Sequence, residues 1–293
     1  MIFTIPAIII VFYEISWSNT SQFRPVSTAI AIEYRLLRCY SEKSDMEKTN
    51  YGNWVTKKII IVSGVVAIFF AGISFISYFF LAGTIIFIIL CGYFLYAYYK
   101  FSPAGGDVQR RIRNLVFDYI NWNGNGNILD IGCGNGALAI ESAKKYHEAF
   151  VTGIDYWGEM WDYSKEMCER NADIEGVSGR VEFQKANAVS LPFKDGSFEL
   201  VISNFVFHEA GSRDKKEVLK EALRMVKPGG HFVFQDLFLV NRFYGKPDEL
   251  LETVRSWGIQ DVRLTDTSKL DFIPKALKLP FMVGSIGILY GTK

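Results

Sequence analysis

Asp130-Ile131-Gly132-Cys133-Gly134-Asn135-Gly136 sets an acid ahead of three glycines at alternate positions. Glycine has no Cβ, so such a loop turns sharply and lets a ligand lie against bare backbone. The run from Ala137 to Lys145 reads as a helix, whose free N–H groups point at whatever the loop holds. The shape is that of a nucleotide cradle, but the acid alters the chemistry. A carboxylate at Asp130 suits a cationic amino-acid group better than a pyrophosphate. Asp155 ends the next strand candidate and has the acceptors to hold both hydroxyls of a ribose. Gly132, Gly134 and Ala137 also satisfy the spacing of a dinucleotide loop, so these residues alone leave an NAD-type ligand open. His208 and Glu209 follow Phe205-Val206-Phe207. A histidine with an ordinary pKa of about 6.5 can take a proton from a hydroxyl or an amine.

These residues need a scaffold, and the pattern from residue 107 onward supplies one. Strand candidates fall at 127–131, 150–154, 180–185, 198–203, 230–236, 260–265 and 284–291. Helical periodicity fills 107–121, 136–147, 158–171, 213–226 and 247–257. Alternation of this kind predicts an α/β sheet. Lys227-Pro228-Gly229-Gly230 marks a turn between helix and strand. No complete helix separates the last two strand candidates, which predicts a hairpin-like pair at the end of the sheet.

Five motifs in order give the region from about 107 to 293 its resemblance. They are Leu129-Asp130-Ile131-Gly132-Cys133-Gly134-Asn135-Gly136; Gly153-Ile154-Asp155; Asn187-Ala188 leading into Leu191-Pro192-Phe193-Lys194-Asp195-Gly196-Ser197-Phe198; Val201-Ile202-Ser203-Asn204; and Lys227-Pro228-Gly229-Gly230. The region resembles class I S-adenosylmethionine (SAM)-dependent methyltransferases and is most similar to the branch containing the ubiquinone/menaquinone-type enzymes. The resemblance implies a Rossmann-like, seven-stranded α/β sheet with its last strand antiparallel, and SAM as cofactor. It places Gly132, Gly134 and Gly136 under the methionine part of SAM, Asp130 at its ammonium, Asp155 at the ribose, and Tyr156 and Trp157 beside the adenine. Asn187 stands where many relatives carry Asp against the adenine amino group, so its amide oxygen replaces a charge, and Ala188 offers a backbone N–H. Ser203 and Asn204 fall beside the transferable methyl, and His208 is the candidate catalytic base. No metal site is expected. DNA amino-methylating enzymes show an Asn/Asp-Pro-Pro-aromatic run at the place that here reads Ser203-Asn204-Phe205-Val206.

Composition adds a location. Hydrophobic residues make up 49% of the chain, and from 59 to 99 there is no Asp, Glu, Lys, Arg or His. As one helix at about 1.5 Å per residue this run would reach roughly 60 Å, twice the hydrocarbon thickness of about 30 Å. Two spans with a break near Leu81-Ala82-Gly83-Thr84 fit instead, as a transmembrane hairpin preceding the sheet. Lys57 and Lys58 flank it on one side and Lys100, Arg110, Arg111 and Arg113 on the other, which predicts both ends on the cytoplasmic face. Tyr93, Tyr96, Tyr98 and Tyr99 would form an aromatic belt at the exit.

The N-terminal 1–58 is an extension of a different character. Residues 1–13 are apolar but short for a span and lack a basic flank and a cleavage site. Residues 41–54 read as a linker. Met46, just before Glu47-Lys48-Thr49-Asn50, reads as a natural start, which would make residues 1–45 an upstream extension not made in the cell. A net charge of +1 and the lack of a basic tract exclude strong attraction to nucleic acid. The four cysteines and three histidines show no zinc-like spacing. The expected organisation is therefore 1–58 extension, 59–99 membrane hairpin and 107–293 SAM-dependent methyltransferase domain. The methyl acceptor would be a small molecule or a lipid-like one. The alternatives are a non-catalytic SAM-binding membrane scaffold and an NAD-dependent enzyme.

Overall fold

The computed structural model describes residues 48–158 and 161–293. The expected upstream extension at 1–45 and the apolar run 1–13 lie outside the described residues. The sheet has seven strands: β1 (Gly126–Ile131), β2 (Ala149–Asp155), β3 (Val181–Lys185), β4 (Phe198–Asn204), β5 (Val226–Asp236), β6 (Asp261–Asp266) and β7 (Gly287–Thr292). Their order is β3-β2-β1-β4-β5-β7-β6. β1 pairs parallel with both β2 and β4, while β7 runs antiparallel to β5 and β6. The expected reversal of the last strand and the terminal hairpin-like pair are both present. Chain order reverses between β1 and β4, so a crevice opens beyond their C-terminal ends, where open α/β sheets bind ligands.

Helices cover both faces, as the near-continuous apolar strands require. On one face α4 (Ala137–Lys145) and α5 (Lys165–Ile174) place Leu138, Ile140, Cys168 and Ala172 against Ile128, Val151 and Leu200. On the other, α6 (Lys215–Arg224) and α8 (Pro247–Ser256) pack Leu219, Leu223, Leu250 and Val254 onto Val201, Phe232 and Phe234. The short α7 (Asn241–Tyr244) lies between them in sequence.

Three helical expectations are corrected. The helix expected over 107–121 is α3 (Val108–Asn114) followed by a 3-10 turn, Leu115–Tyr119. The helix expected over 158–171 begins only at Lys165, because Ser164 is its cap and accepts a hydrogen bond from the Met167 N–H at 3.2 Å. The apolar hairpin breaks earlier than Leu81–Thr84. α1 (Lys57–Ser74) ends before a connection at 75–80, and α2 (Leu81–Phe101) begins where the break was expected. Gly83 is a packing residue rather than a breaker: a Cβ there would lie 2.6 Å from Phe70 Cδ1 of α1.

The last turns of α2 do not stand apart from the sheet-bearing half. Ala97 and Phe101 are buried in a cluster with Ile112 of α3, Leu237, and Ile273, Leu277 and Val283 from the segment between β6 and β7. Higher in the hairpin the side chains turn outward, with Ile68 73% and Ile89 65% exposed.

Candidate active site

The glycine loop begins at the end of β1. Gly132, Gly134 and Gly136 all have positive φ, at 73°, 58° and 81°. Only glycine takes that region at no steric cost. At Gly132 space is limiting as well, since a Cβ would sit 2.0 Å from Val206 Cγ2. The Gly132 and Cys133 amides donate to Ile154 O at 2.7 and 2.9 Å, which ties the loop to the end of β2. Asp155 completes the tie. Its Oδ2 accepts from the Gly134 N–H at 2.9 Å and its Oδ1 from the Trp157 N–H at 2.8 Å. The Trp157 indole N–H donates to Gly134 O at 2.8 Å. Burial raises the Asp155 pKa, and the backbone amides of Trp157, Gly134 and Tyr156 oppose that shift.

A cavity of about 640 Å³ lies over this loop, within the usual range for a small-molecule site. Of the residues singled out in the sequence, Asp130, Gly132, Gly134, Asp155, Tyr156, Asn187, Ala188, Asn204 and His208 line it. Gly136 caps α4 just behind the lining, and a Cβ there would meet Phe183. Ser203 is buried, donates its hydroxyl hydrogen bond to Ile131 O at 2.9 Å and is not part of the lining, so it ties β4 to β1 instead of facing a ligand. Asn187 is exposed, and its amide oxygen accepts from the Val189 N–H at 3.0 Å. That oxygen, expected to face an adenine, therefore already shapes its own turn. Tyr156 is 63% exposed at the rim, with Lys185 Nζ 5.3 Å from its ring centre.

Three side chains at this cavity, Asp130, Arg113 and Asn204, each carry a buried polar atom without a partner. Asp130 is 1% exposed and its Oδ2 has no hydrogen-bond partner. Burial pushes its pKa up to about 7, helped by the Asp155 charge and opposed by the Ala139 backbone amide and Arg113. Arg113, on α3, is 5% exposed, and its Nε is unpartnered. Among the described residues no carboxylate pairs with it; its guanidinium lies 5.6 Å from the Tyr51 ring centre. Burial lowers its pKa, and Glu141 opposes this. Arg113 therefore belongs to the site and not to the basic flank of the hairpin assigned to it from the sequence.

The far end of the cavity holds a hydrogen-bonded pair. His208 Nδ1 is 2.9 Å from Asp236 Oδ1 at the end of β5. Asp236 is completely buried and accepts N–H groups from Val206 and Phe207 on Oδ2, at 3.1 and 2.8 Å, and from Leu237 on Oδ1 at 2.6 Å. Burial disfavours the imidazolium, but the Asp236 charge and hydrogen bond outweigh it, so the His208 pKa is raised. Glu209 Oε1 stands 3.7 Å from His208 Nε2, while Glu209 Oε2 accepts from the Trp161 indole N–H at 3.2 Å.

Sequence reasoning did not find Asp236, although an acid closing a strand, as Asp155 closes β2, was the available signal. It also treated residues 41–54 as a linker, whereas Asn50 to Val55 form a strap across the site. The Asn50 N–H donates to Asn171 Oδ1 at 2.9 Å, and Asn50 O accepts from Asn135 Nδ2 and Asn171 Nδ2 at 3.0 Å each. The Trp54 N–H donates to Gln109 Oε1 at 2.9 Å, and the Trp54 ring packs 4.6 Å from that of Phe205. Nothing in a short polar stretch announces such contacts. No group of three or more potential metal ligands occurs among the described residues.

Known proteins share the motif-bearing part of the chain. Residues 128–230 match the family model described as a methyltransferase domain. A ubiquinone/menaquinone biosynthesis C-methyltransferase from Geotalea daltonii is 32% identical over 137 residues, covering 46% of this chain and 55% of that protein. A 27-O-demethylrifamycin SV methyltransferase from Amycolatopsis mediterranei is 35% identical over 113 residues, 39% of each chain. The solved structure of a SAM-dependent methyltransferase from Aquifex aeolicus overlays with a TM-score of 0.43 at 20% identity, covering 62% of this chain and 88% of that one. The chain spans about half the length of the first of these curated relatives and less of the second. Residues 128–230 thus match a methyltransferase domain, and the strand order β3-β2-β1-β4-β5-β7-β6 with β7 antiparallel is the sheet that the sequence resemblance implied.

Proposed function

We propose that this chain is a membrane-anchored SAM-dependent methyltransferase that transfers a methyl group to a small-molecule or lipid-like acceptor at the cytoplasmic face. One observation carries the reading of the site. A buried carboxylate with one unpartnered oxygen, Asp130 Oδ2, and a buried guanidinium with its Nε unpartnered, Arg113, line the same cavity. An amino-acid zwitterion satisfies both: its ammonium matches Asp130 and its carboxylate matches Arg113. The nicotinamide dinucleotide of the alternative reading has a pyridinium and a pyrophosphate but neither an ammonium nor a carboxylate. The residues present thus fit the methionyl end of SAM, with the left-handed glycines giving it room.

Bound SAM supplies an electrophilic methyl on a sulfonium sulfur, open to in-line attack. The chain's own residues do the rest. Both Asp155 oxygens keep a second lone pair for ribose hydroxyls while the Gly134 and Trp157 amides hold the carboxylate still. Asn204, whose Oδ1 is buried and unpartnered, offers an acceptor between the two ends of the cavity. Asp236 fixes the His208 tautomer with its proton on Nδ1, which leaves Nε2 to take a proton from an acceptor hydroxyl or amine. Positioning supplies the rest of the rate acceleration.

The anchor reading rests on two apolar helices, Lys57–Ser74 and the segment Tyr78–Phe101, both long enough to cross a bilayer. Lys57, Lys58, Lys100, Arg110 and Arg111 remain as the basic flank that favours a cytoplasmic catalytic side. Calorimetry with SAM, its demethylated product and NAD tests the cofactor. SAM and its product should bind and NAD should not; tight NAD binding without SAM binding overturns the proposal. Binding of SAM with no transfer to any cell fraction would leave a SAM-binding scaffold instead.

A further inference from the structure

The connection from β6 to β7 ends in a tight turn at 278–283. Its backbone is closed by Met282 N–H and Gly284 N–H donating to Leu279 O at 2.9 and 3.0 Å, and by Val283 N–H donating to Leu277 O at 3.2 Å. The tip, Leu279-Pro280-Phe281, is exposed: Phe281 shows 65% of its surface. A single exposed Phe means little. Here two further observations bear on it. First, the turn lies against the hairpin. The Tyr93 hydroxyl donates to Ala276 O at 3.0 Å, and the Tyr93 and Phe281 rings are 6.1 Å apart. Tyr93 is eight residues before the end of α2, about 12 Å along its axis. It therefore sits on the hydrocarbon side of Tyr96, Tyr99 and Lys100, the groups suited to the headgroup level. Lys275 and Lys278 flank the tip as basic residues flank interfacial segments. Second, Phe281, Met282 and Val283 line the active-site cavity, together with Phe101, Trp54 and Leu237. One face of the turn thus looks outward at the height of the bilayer, while the other walls the apolar end of the cavity.

We propose that the 278–283 turn is seated in the cytoplasmic leaflet and forms a side door through which an amphiphilic acceptor reaches the cavity directly from the bilayer. Its hydrocarbon tail stays among Phe281, Met282 and Phe101, and its nucleophilic head meets His208. The inference rests on the anchored-methyltransferase reading and narrows the acceptor to a membrane-resident amphiphile.

The test places the photo-crosslinking residue p-benzoylphenylalanine singly at Phe281, at Ile89 on α2 and at Phe150 on β2. Each full-length protein is reconstituted into vesicles of phosphatidylcholine and phosphatidylglycerol, irradiated and analysed by intact mass. Lipid adducts are expected at 281 and 89 and not at 150. An adduct at 89 without one at 281 overturns the door and leaves the anchor standing. No adduct at either position overturns the anchor and the door together. In parallel, native membranes containing the full chain are incubated with methyl-labelled SAM and then extracted with organic solvent. Label in the organic phase is expected. Label confined to aqueous products overturns the amphiphilic acceptor, and label in neither phase overturns the proposed transferase activity itself.

Discussion

Replacing Asp130 by Asn should stabilise the ligand-free protein while weakening its hold on SAM. The carboxyl pKa is raised from 3.8 to about 7 by burial. Between those values the folded state binds a proton that the unfolded state releases. Stability therefore falls as pH rises from about 4 to 7 and stays low above that. Roughly three pKa units at about 1.4 kcal/mol each put the penalty at about 4 kcal/mol by pH 8. Asn is neutral throughout and has nearly the same shape, so Asp130→Asn should recover about 2–4 kcal/mol at pH 8 and much less at pH 5. For a domain of this size that corresponds to a Tm rise on the order of 5–15 °C. The assay is thermal unfolding of the detergent-solubilised full chain at pH 5 and pH 8, with SAM calorimetry at both. Wild-type affinity should strengthen from pH 6 to pH 8 as Asp130 ionises. The variant should lose the charge-assisted hydrogen bond to the ammonium, about 1.5–3 kcal/mol or roughly 10- to 100-fold in Kd at pH 8. A variant less stable than wild type at pH 8, or one whose SAM Kd stays within twofold, would refute the assignment of Asp130 as a destabilising ligand group.

Other consequences can be measured in the same preparations. His208 must be neutral to accept a proton, and Asp236 raises its pKa, so turnover on the labelled acceptor fraction should climb through a raised histidine pKa. Asp236→Asn should shift that climb to lower pH and reduce the plateau, and an unshifted profile would remove Asp236 as the positioning group. His208→Ala should lower kcat by about 10²- to 10⁴-fold with SAM affinity intact; unaltered turnover would take His208 out of the mechanism. Gly132→Ala combines φ +73° with a 2.0 Å approach to Val206, so strain of about 1–3 kcal/mol plus the clash should abolish SAM binding. Adding Val206→Ala should restore only part of it, and wild-type calorimetry for the single variant would contradict the loop geometry. Asn171→Ala removes three hydrogen bonds, two to Asn50 of the strap and one buried bond to Asn135 O, at about 0.5–1.5 kcal/mol each. Limited proteolysis should then cut within 48–55, and an uncut strap would show that Asn171 does not hold it.

The parts of the site that lie close together in sequence were the legible ones. Asp130 and its glycines, and Asp155 at the end of β2, belong to strand-loop units whose conformation is local, because left-handed backbone favours glycine wherever the chain goes next. The parallel core was legible for the same reason: strands buried on both faces read as unbroken apolar runs. Contacts made across the chain left little trace. Asp236 meets His208 only because β5 lies beside β4. Asn50 meets Asn135 and Asn171 only after α4 and α5 have packed. Arg113 looked like one more basic residue after an apolar run, and only folding turns it inward. Gly83 misplaced the hairpin break, since glycine marks a turn and a close helix contact with equal force.

The cluster that joins Ala97 and Phe101 of α2 to Ile273, Leu277 and Val283 bears on how the protein can be prepared. Genetic removal of the hairpin just after Phe101 would leave an apolar scar where those side chains had packed. It would also open one wall of the cavity, because Phe101 and Trp54 go with the excised piece. A water-soluble fragment starting near residue 107 would then be an aggregation-prone protein with an altered pocket, and its failure to turn over a substrate would say nothing about the intact chain. Functional work on the proposed membrane-anchored enzyme therefore calls for the full chain in detergent or nanodiscs, with both apolar helices kept.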